Sequence, residues 1–512
     1  MIETDAKIAR GAAALYFANV TALVLNTLFL VLLANYYAAD QAEVGLVSIL
    51  NVVLVSATTV AVLASPLVGA GVATPPAVTR FLSQFRDSDG SGRSVYRLSL
   101  GITAAISVAI LLLSAYSPVA SLVAGPAQGG AVFFACLDAL VYSFAQLGAY
   151  SMLGTGRTTS AGKVIVASSI SRYVFASALL LAGTGPSGIF AGFAIGDSVL
   201  AVYSNVLTTR DLRGNPLAPV PRGPVLKYMS SVFLAALMGL AVSQSDKFLA
   251  FLQLGLPKLA VYNVATVGAA VASFVPNAVT NVLVPSLVGY GNDEASKVRM
   301  LKAYTRHISI IALPVGFLLA AVSPFLLRVF GEAYAAGAPI MAVIAISIAL
   351  TAISAVYTSS LLVDDRAHHF ALSTVIGLAA LVVVAFLTVP SQGALGIAIA
   401  RGAMFFVSLG FMAYFVWRVG RLVFDSRAYL QSLGASVLMA AFVFAALTLG
   451  STAGLGRLAV VLASLVMMPV GLVAYLFVMK VIGAFNEEDV QFLESLLPGR
   501  LGFLSRLARK LL

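Results

Sequence analysis

The sequence predicts an all-α, polytopic membrane protein of about 14 transmembrane helices. Three observations predict it. First, 60% of the 512 residues are hydrophobic and only 10% are charged, where a soluble domain carries about 25% charged residues to cover its surface. Second, the apolar residues fall into long runs, each near the roughly 20 residues that a spanning helix needs. Third, the basic residues gather in alternate gaps between those runs, the bias that sets orientation in a membrane.

Taken in order, the runs are 12–34, 44–71, 95–115, 130–152, 162–183, 187–208, 227–250, 258–288, 306–329, 338–362, 368–389, 394–417, 430–450 and 457–482. Residues 117–128 are apolar but rich in Gly and Pro, and are read as a loop leading into the fourth run. With the N-terminus in the cytoplasm, all of the 31 basic residues except Lys247, Lys258, Arg328, Arg401 and Arg457 belong to inner regions. The outer segments 35–43, 114–129, 183–187 and 389–393 contain no Lys or Arg. The sequence therefore predicts a multi-pass protein of the cell membrane with both termini cytoplasmic. The formal charge of +11 is an orientation signal and an attraction to anionic lipid headgroups, not a nucleic-acid patch.

The chain reads as divided. Residues 1–210 form an N-terminal six-helix lobe. Residues 211–226, with Pro216, Pro219, Pro221 and Pro224, form a cytoplasmic linker. Residues 227–420 form a second six-helix lobe, and 421–484 a peripheral helix pair whose spans are almost wholly apolar and small. An internal echo supports the division: Ala64-Ser65-Pro66-Leu67-Val68-Gly69 ends the second run and Val284-Pro285-Ser286-Leu287-Val288-Gly289 the eighth. Residues 485–512 are a cytoplasmic amphipathic tail; Leu501, Phe503, Leu504 and Leu507 interleave with Arg500, Arg506, Arg509 and Lys510 in the manner of a helix lying at the lipid interface.

Several kinds of chemistry are excluded or disfavoured. No G-x-x-x-x-G-K-[ST] string is present, so no P-loop hydrolyses ATP here. The three histidines, His307, His368 and His369, lie near cytoplasmic helix ends without a ligand pattern, and neither a metal nor a cofactor is expected. The single Cys136 sits in an apolar run, so disulfides play no part. Asn19-Val20-Thr21 matches a glycosylation acceptor but falls inside the first run.

Ionisable residues inside the runs are the informative signal, since each costs at least about 2.5 kcal/mol at the bilayer centre. They are Asp138, Arg172, Asp197, Asp246, Lys247 and Arg401. Two readings follow. In one, Arg401, Lys247 and Arg172 offer positive charge to a substrate in a cavity, with Asn26, Asn51 and Gln244 as polar wall, while Asp246, Asp197 or Asp138 handles a coupling cation or gates the path. In the other, these charges pair with one another, Asp246 with Arg401 for example, and fix helix packing. Asp246 and Lys247 point about 100° apart on a helix and cannot serve one spot together. Their place near the outer end of the seventh run suits a gate, which leaves Arg401 as the better candidate for a substrate's charge. Pro276 and Pro285 break the eighth run locally and are candidate hinges.

Several strings in order resemble one family. They are Ala9-Arg10-Gly11; Leu32-Leu33-Ala34-Asn35-Tyr36-Tyr37 before Val44-Gly45-Leu46; Ser245-Asp246-Lys247-Phe248; Leu259-Ala260-Val261-Tyr262-Asn263-Val264-Ala265; Leu313-Pro314; Val329-Phe330-Gly331-Glu332-Ala333-Tyr334; and Gly393-Ala394-Leu395-Gly396-Ile397-Ala398-Ile399-Ala400. Together they resemble the polysaccharide transporters, the Wzx-type flippases of the multidrug/oligosaccharidyl-lipid/polysaccharide exporter superfamily. The resemblance implies two six-helix bundles around a central cavity, with two peripheral helices outside. It implies alternating access and movement of a polyprenyl- or dolichyl-linked glycan from the inner to the outer leaflet, by a monomer and without covalent change. In the lipid II flippase branch several cavity arginines lie in the first helices, whereas here the first two runs offer only Asn19, Asn26 and Asn51. A drug/cation antiporter of the same fold is the alternative, distinguished by a net acidic cavity. A membrane glycosyltransferase or ligase would need a sizeable, charged outer loop, and the outer loops here are short and nearly uncharged.

Overall fold

The computed structural model describes residues 2–63, 82, 91–115, 129–213, 222–289, 293–363, 366–451 and 456–484. The end of the second run with Pro66, the loop at 117–128, the prolines at 216–221, Asp364-Asp365 and the amphipathic tail lie outside the described residues. Within them the chain is helical, and eleven helices are long and apolar enough to cross a membrane. The chain divides into two compact units, Met1–Phe248 and Leu249–Leu512.

In the first unit α1 spans Ile2–Tyr36, α2 Gln41–Leu63, α3 Ser91–Ala115, α4 Gly129–Gly154, α5 Thr158–Leu181 and α6 Gly185–Asp211. The short turns between α4, α5 and α6 make these helices antiparallel neighbours. Gly156, Gly183 and Gly185 take positive φ there, where a side chain would be strained. At the α4–α5 turn Arg157 forms a two-pronged ion pair with Asp211, 2.6 Å for each prong. Helix α7, Arg222–Leu254, runs across the division between the units.

The eighth run is not one helix. It is α8, Leu256–Ala269, a tight 3-10 turn at Ala270–Ser273, and α9, Phe274–Gly289. Pro276 sits in the first turn of α9, where its missing N–H is not needed, so the proline begins a new helix after the turn. The tenth run is also broken, into α11, Ala338–Leu350, and α12, Ser354–Val363.

Helix α10, Glu294–Leu326, begins before the apolar run that predicts it. Its 33 residues extend roughly 50 Å at 1.5 Å per residue, against about 30 Å of hydrocarbon. Its first turns carry the basic residues that the sequence places in a cytoplasmic loop. There Arg421 reaches Glu294 at 2.5 Å, and Arg306 donates to the Ala484 carbonyl at 2.7 Å. The remaining helices are α13, Ala367–Gln392, α14, Ala394–Arg418, α15, Ser426–Ser451, and α16, Arg457–Val481.

Helices α15 and α16 are the predicted peripheral pair, and both pack on α10. Pro314 has no N–H to give the Ile310 carbonyl one turn back. Tyr475 of α16 donates its hydroxyl to that carbonyl at 2.9 Å. Beside it Ser432 of α15 donates to the Ser309 carbonyl at 3.0 Å. Pro324 leaves the Ala320 carbonyl in the same position, and the Ser323 hydroxyl donates to it at 2.8 Å. In lipid a bare carbonyl has no water to turn to, so each proline site carries its own donor.

Candidate functional site

Glycines bring the site together. Gly192 and Gly196 stand four residues apart on one face of α6, against α5. A Cβ on Gly192 would meet the backbone of Ala176 at 2.5 Å, and one on Gly196 would collide with the backbone of Arg172. Small residues at this spacing let two helix backbones approach closely inside a membrane. The residue after Gly196 is Asp197, so this close approach delivers its carboxylate to the side chain of Arg172.

Arg172 is the centre of a buried ion cluster. One terminal nitrogen donates to Asp197, and the other donates to Asp138 of α4 at 3.0 Å. Ser168, one turn before Arg172, donates to the second oxygen of Asp197 at 3.2 Å. The guanidinium lies over the ring of Phe193 at 4.1 Å and near that of Tyr142 at 5.4 Å. The three side chains are 12%, 3% and 0% exposed for Arg172, Asp197 and Asp138. Two carboxylates face one guanidinium, so the fully ionised cluster carries one excess negative charge.

A cavity of about 500 Å³ opens beside this cluster, within the first unit, inside the roughly 300–1,000 Å³ range of small-molecule sites. Asn26 of α1 and Asn51 of α2 form one wall. Tyr142, Gln146 and Tyr150 of α4 form another; Ser168, Ser169, Arg172 and Tyr173 of α5, with Asp197 of α6, complete the polar lining. Tyr173 donates to the Asn26 side-chain oxygen at 3.2 Å, which ties α1 to α5.

Of the sequence-predicted residues, the fold thus brings together Arg172, Asp138, Asp197, Asn26 and Asn51. Gln244, Asp246 and Lys247 lie on α7 and do not line this cavity. Asp246 is buried, while Gln244 and Lys247 are half-buried. Arg401 is on α14 in the second unit, half-buried, its guanidinium 5.7 Å from the ring of Phe405. Pro276 opens α9 and Pro285 lies within it. Among the described residues no cluster of His, Cys, Asp and Glu is arranged to hold a metal ion.

Sequence reasoning missed Tyr142, Tyr150, Tyr173 and Ser168. The signal was available. Asp138, Tyr142, Gln146 and Tyr150 recur every fourth residue, which draws a polar stripe along α4. Ser168 with Arg172, and Ser169 with Tyr173, repeat the spacing on α5.

Comparison with known proteins agrees with this architecture. A family model described as polysaccharide biosynthesis protein matches residues 53–339, more than half of the chain. No curated protein matches. Among solved structures, the lipid II flippase MurJ in an inward closed conformation superposes with a TM-score of 0.61 at 14% identity, covering 91% of this chain and 98% of that one. An outward-facing multidrug resistance MATE family transporter of the MOP superfamily gives 0.56 at 17% identity, covering 80% and 96%. A mutant of the Vibrio cholerae MATE transporter VcmN gives 0.54 at 15% identity, covering 83% and 100%. At these identities the likeness establishes a shared fold.

Proposed function

This chain belongs to the polysaccharide biosynthesis protein family, and from that premise we propose that it is a flippase carrying a lipid-linked glycan from the inner to the outer leaflet by alternating access. One observation carries the reading: a cavity among membrane-spanning helices that combines amides, hydroxyls and aromatic rings with a buried ion cluster. A glycan head needs such a polar place within the bilayer, while its polyprenyl or dolichyl tail stays in lipid. No covalent chemistry is required, and a monomer suffices.

The roles divide as follows. Asn26, Asn51 and the face of Arg172 toward the cavity meet the sugar. Asp138 and Asp197, two carboxyl groups beside one guanidinium, are the candidates to bind a coupling cation. Arg401 of the second unit is the candidate for the phosphate that links glycan to lipid. Both termini are cytoplasmic; cysteines placed at Ala39 and Arg427, both exposed, label from opposite sides if so.

The test is purified protein in liposomes with a fluorescent lipid-linked oligosaccharide, with and without a proton or sodium gradient. Glycan movement that depends on the protein and rises with the gradient is expected. A drug/cation antiporter is the second reading, favoured by the same excess of carboxylate. It predicts gradient-driven movement of a cationic dye and none of the glycan.

A further inference from the structure

The chain that joins α14 to α15 sorts its side chains in alternation. From Arg421 to Asp425 each half-buried residue is followed by an exposed one. Arg421 turns to Glu294 of α10, which also takes Lys297 at 3.2 Å. Val423 packs on the core of the second unit, and its carbonyl accepts the Tyr357 hydroxyl at 3.3 Å. Asp425 accepts from the Ala428 N–H at 2.9 Å and pairs with Arg306 at 3.4 Å. Between these contacts Leu422 and Phe424 are 43% and 44% exposed, and Trp417 at the end of α14 is 59% exposed. Arg418 and Arg427 flank the two apolar side chains and are exposed as well. The carboxylates of Glu294 and Asp425 are engaged by Arg421 and Arg306, and among the described residues none pairs with Arg418 or Arg427. Arg418 is held by Tyr414 one turn back. Its Nε donates to the Tyr414 hydroxyl at 3.0 Å, and its guanidinium lies 5.5 Å from that ring. This leaves its two terminal nitrogens without a partner among the described residues, and such a fork matches the oxygens of a phosphate.

We infer that the strip from Trp417 to Arg427 is a binding site for an anionic phospholipid. Arg418 and Arg427 meet its headgroup phosphate, Leu422 and Phe424 rest against its acyl chains, and Trp417 sits at the boundary between the two. Three features select this occupant. The strip continues α14, a helix long and apolar enough to cross a membrane, so it lies where headgroups meet hydrocarbon. Large apolar side chains set between arginines suit that boundary and no purely aqueous ligand. Two cations with no carboxylate among the described residues to balance them favour a lipid of net negative charge over a zwitterionic one, whose own cation they repel. The site belongs to the second unit and does not rest on the flippase reading. Because Arg421 and Asp425 tie the same strip to α10, the lipid is held by a segment that is itself fixed to the longest helix of that unit.

The chain contains a single tryptophan, and it lies in this strip, so its fluorescence reports the site alone. The full-length protein is placed in bilayers of phosphatidylcholine and phosphatidylglycerol, with bromine, a contact quencher, on the acyl chains of one lipid or the other. The quenching gives the binding constant of phosphatidylglycerol at Trp417 relative to that of phosphatidylcholine. A ratio of at least about five is expected, the factor for one arginine at an anionic surface. Added salt should lower it, because exposed charges are screened. The double variant Arg418→Gln/Arg427→Gln should bring the ratio to about one. Its quenching by brominated phosphatidylcholine in a purely neutral bilayer should match the wild type, which shows that the strip is still seated at the lipid. A wild-type ratio near one overturns the inference, as does a ratio that salt leaves unchanged. So does a wild-type tryptophan that neither brominated lipid quenches, since the strip then does not touch lipid. A double variant that is seated normally and keeps the wild-type ratio overturns the assignment to these arginines.

Discussion

In the first unit, Arg172 lies between two carboxylates that are 0% and 3% exposed. In the second, the carbonyls that Pro314 and Pro324 leave on α10 are met by the hydroxyls of Tyr475 and Ser323. Both arrangements hold polar groups away from water, but their energetic characters differ. Removing one member of a buried ion cluster strands a charge. Removing a hydroxyl strands a single dipole, a smaller cost. The first unit therefore concentrates its polarity in one sensitive cluster. The second spreads it along a helix as support.

The comparison can be broken by experiment, beginning where the expected effect is largest. Arg172→Ala leaves two carboxylates facing each other without a cation. It is expected to lower stability by about 3–5 kcal/mol, the usual result of breaking a buried pair, and to abolish transport. Thermal unfolding in mild detergent checks the first, and the liposome assay the second. A stable, active Arg172→Ala protein would mean that the cluster is neither sensitive nor used.

Gly196→Leu comes next, because its side chain would enter the backbone of α5 at Arg172. A loss of about 1–3 kcal/mol is expected from overpacking, together with reduced transport as Asp197 is pushed off Arg172. Gly101, whose Cβ would meet nothing within 4 Å, serves as the control: Gly101→Ala should leave both readouts unchanged.

Tyr475→Phe removes the hydroxyl donor to the Ile310 carbonyl that Pro314 leaves open. Hydrogen bonds between membrane helices average only about 0.6 kcal/mol, so a small drop in melting temperature and unaltered transport are expected. A loss as large as that of Arg172→Ala would show that the second unit is no less sensitive than the first.

The smallest effect belongs to Asp293, which caps α10 by accepting from the Ser296 N–H at 3.1 Å. Hydrogen bonding from the Ser296 side chain, and then from this N–H, holds its carboxyl below the usual carboxylate range. The folded value is the lower one, so the cap's contribution is present at neutral pH and is lost as pH falls through the folded value. Asp293→Ala should therefore weaken the protein slightly at pH 7 and make no difference in strong acid. Melting curves compared across acidic pH read this out.

Much of this was legible in the chain. The long apolar runs give helices because only a helix satisfies its own backbone in lipid, and α13 and α14 correspond closely to the runs at 368–389 and 394–417. The breaks were harder to see. Pro276 marks a discontinuity, but the 3-10 turn at Ala270–Ser273 has no proline of its own. The separation of α11 from α12 falls in Thr351-Ala352-Ile353, a stretch no less apolar than its surroundings. In the site, Arg172, Asp138 and Asp197 each stood out as costly residues in apolar runs, yet their association did not.

The sequence by itself determined the class of protein. Composition required a membrane, run length set the helices, and basic loops suggest the orientation. It also determined which residues share a face of one helix, as Asp138, Tyr142, Gln146 and Tyr150 do on α4. Only the tertiary structure decided which helix that face meets. Arg172 joins partners 34 and 25 residues away in the chain. In a soluble protein a polar face marks the outside and so gives the rotation of a helix. In lipid the outside is as apolar as the core, and the rotation is set by close packing at residues such as Gly192 and Gly196. That contact aims Asp197 at Arg172 and makes a cluster of three charges from residues that, read along the chain, are unrelated.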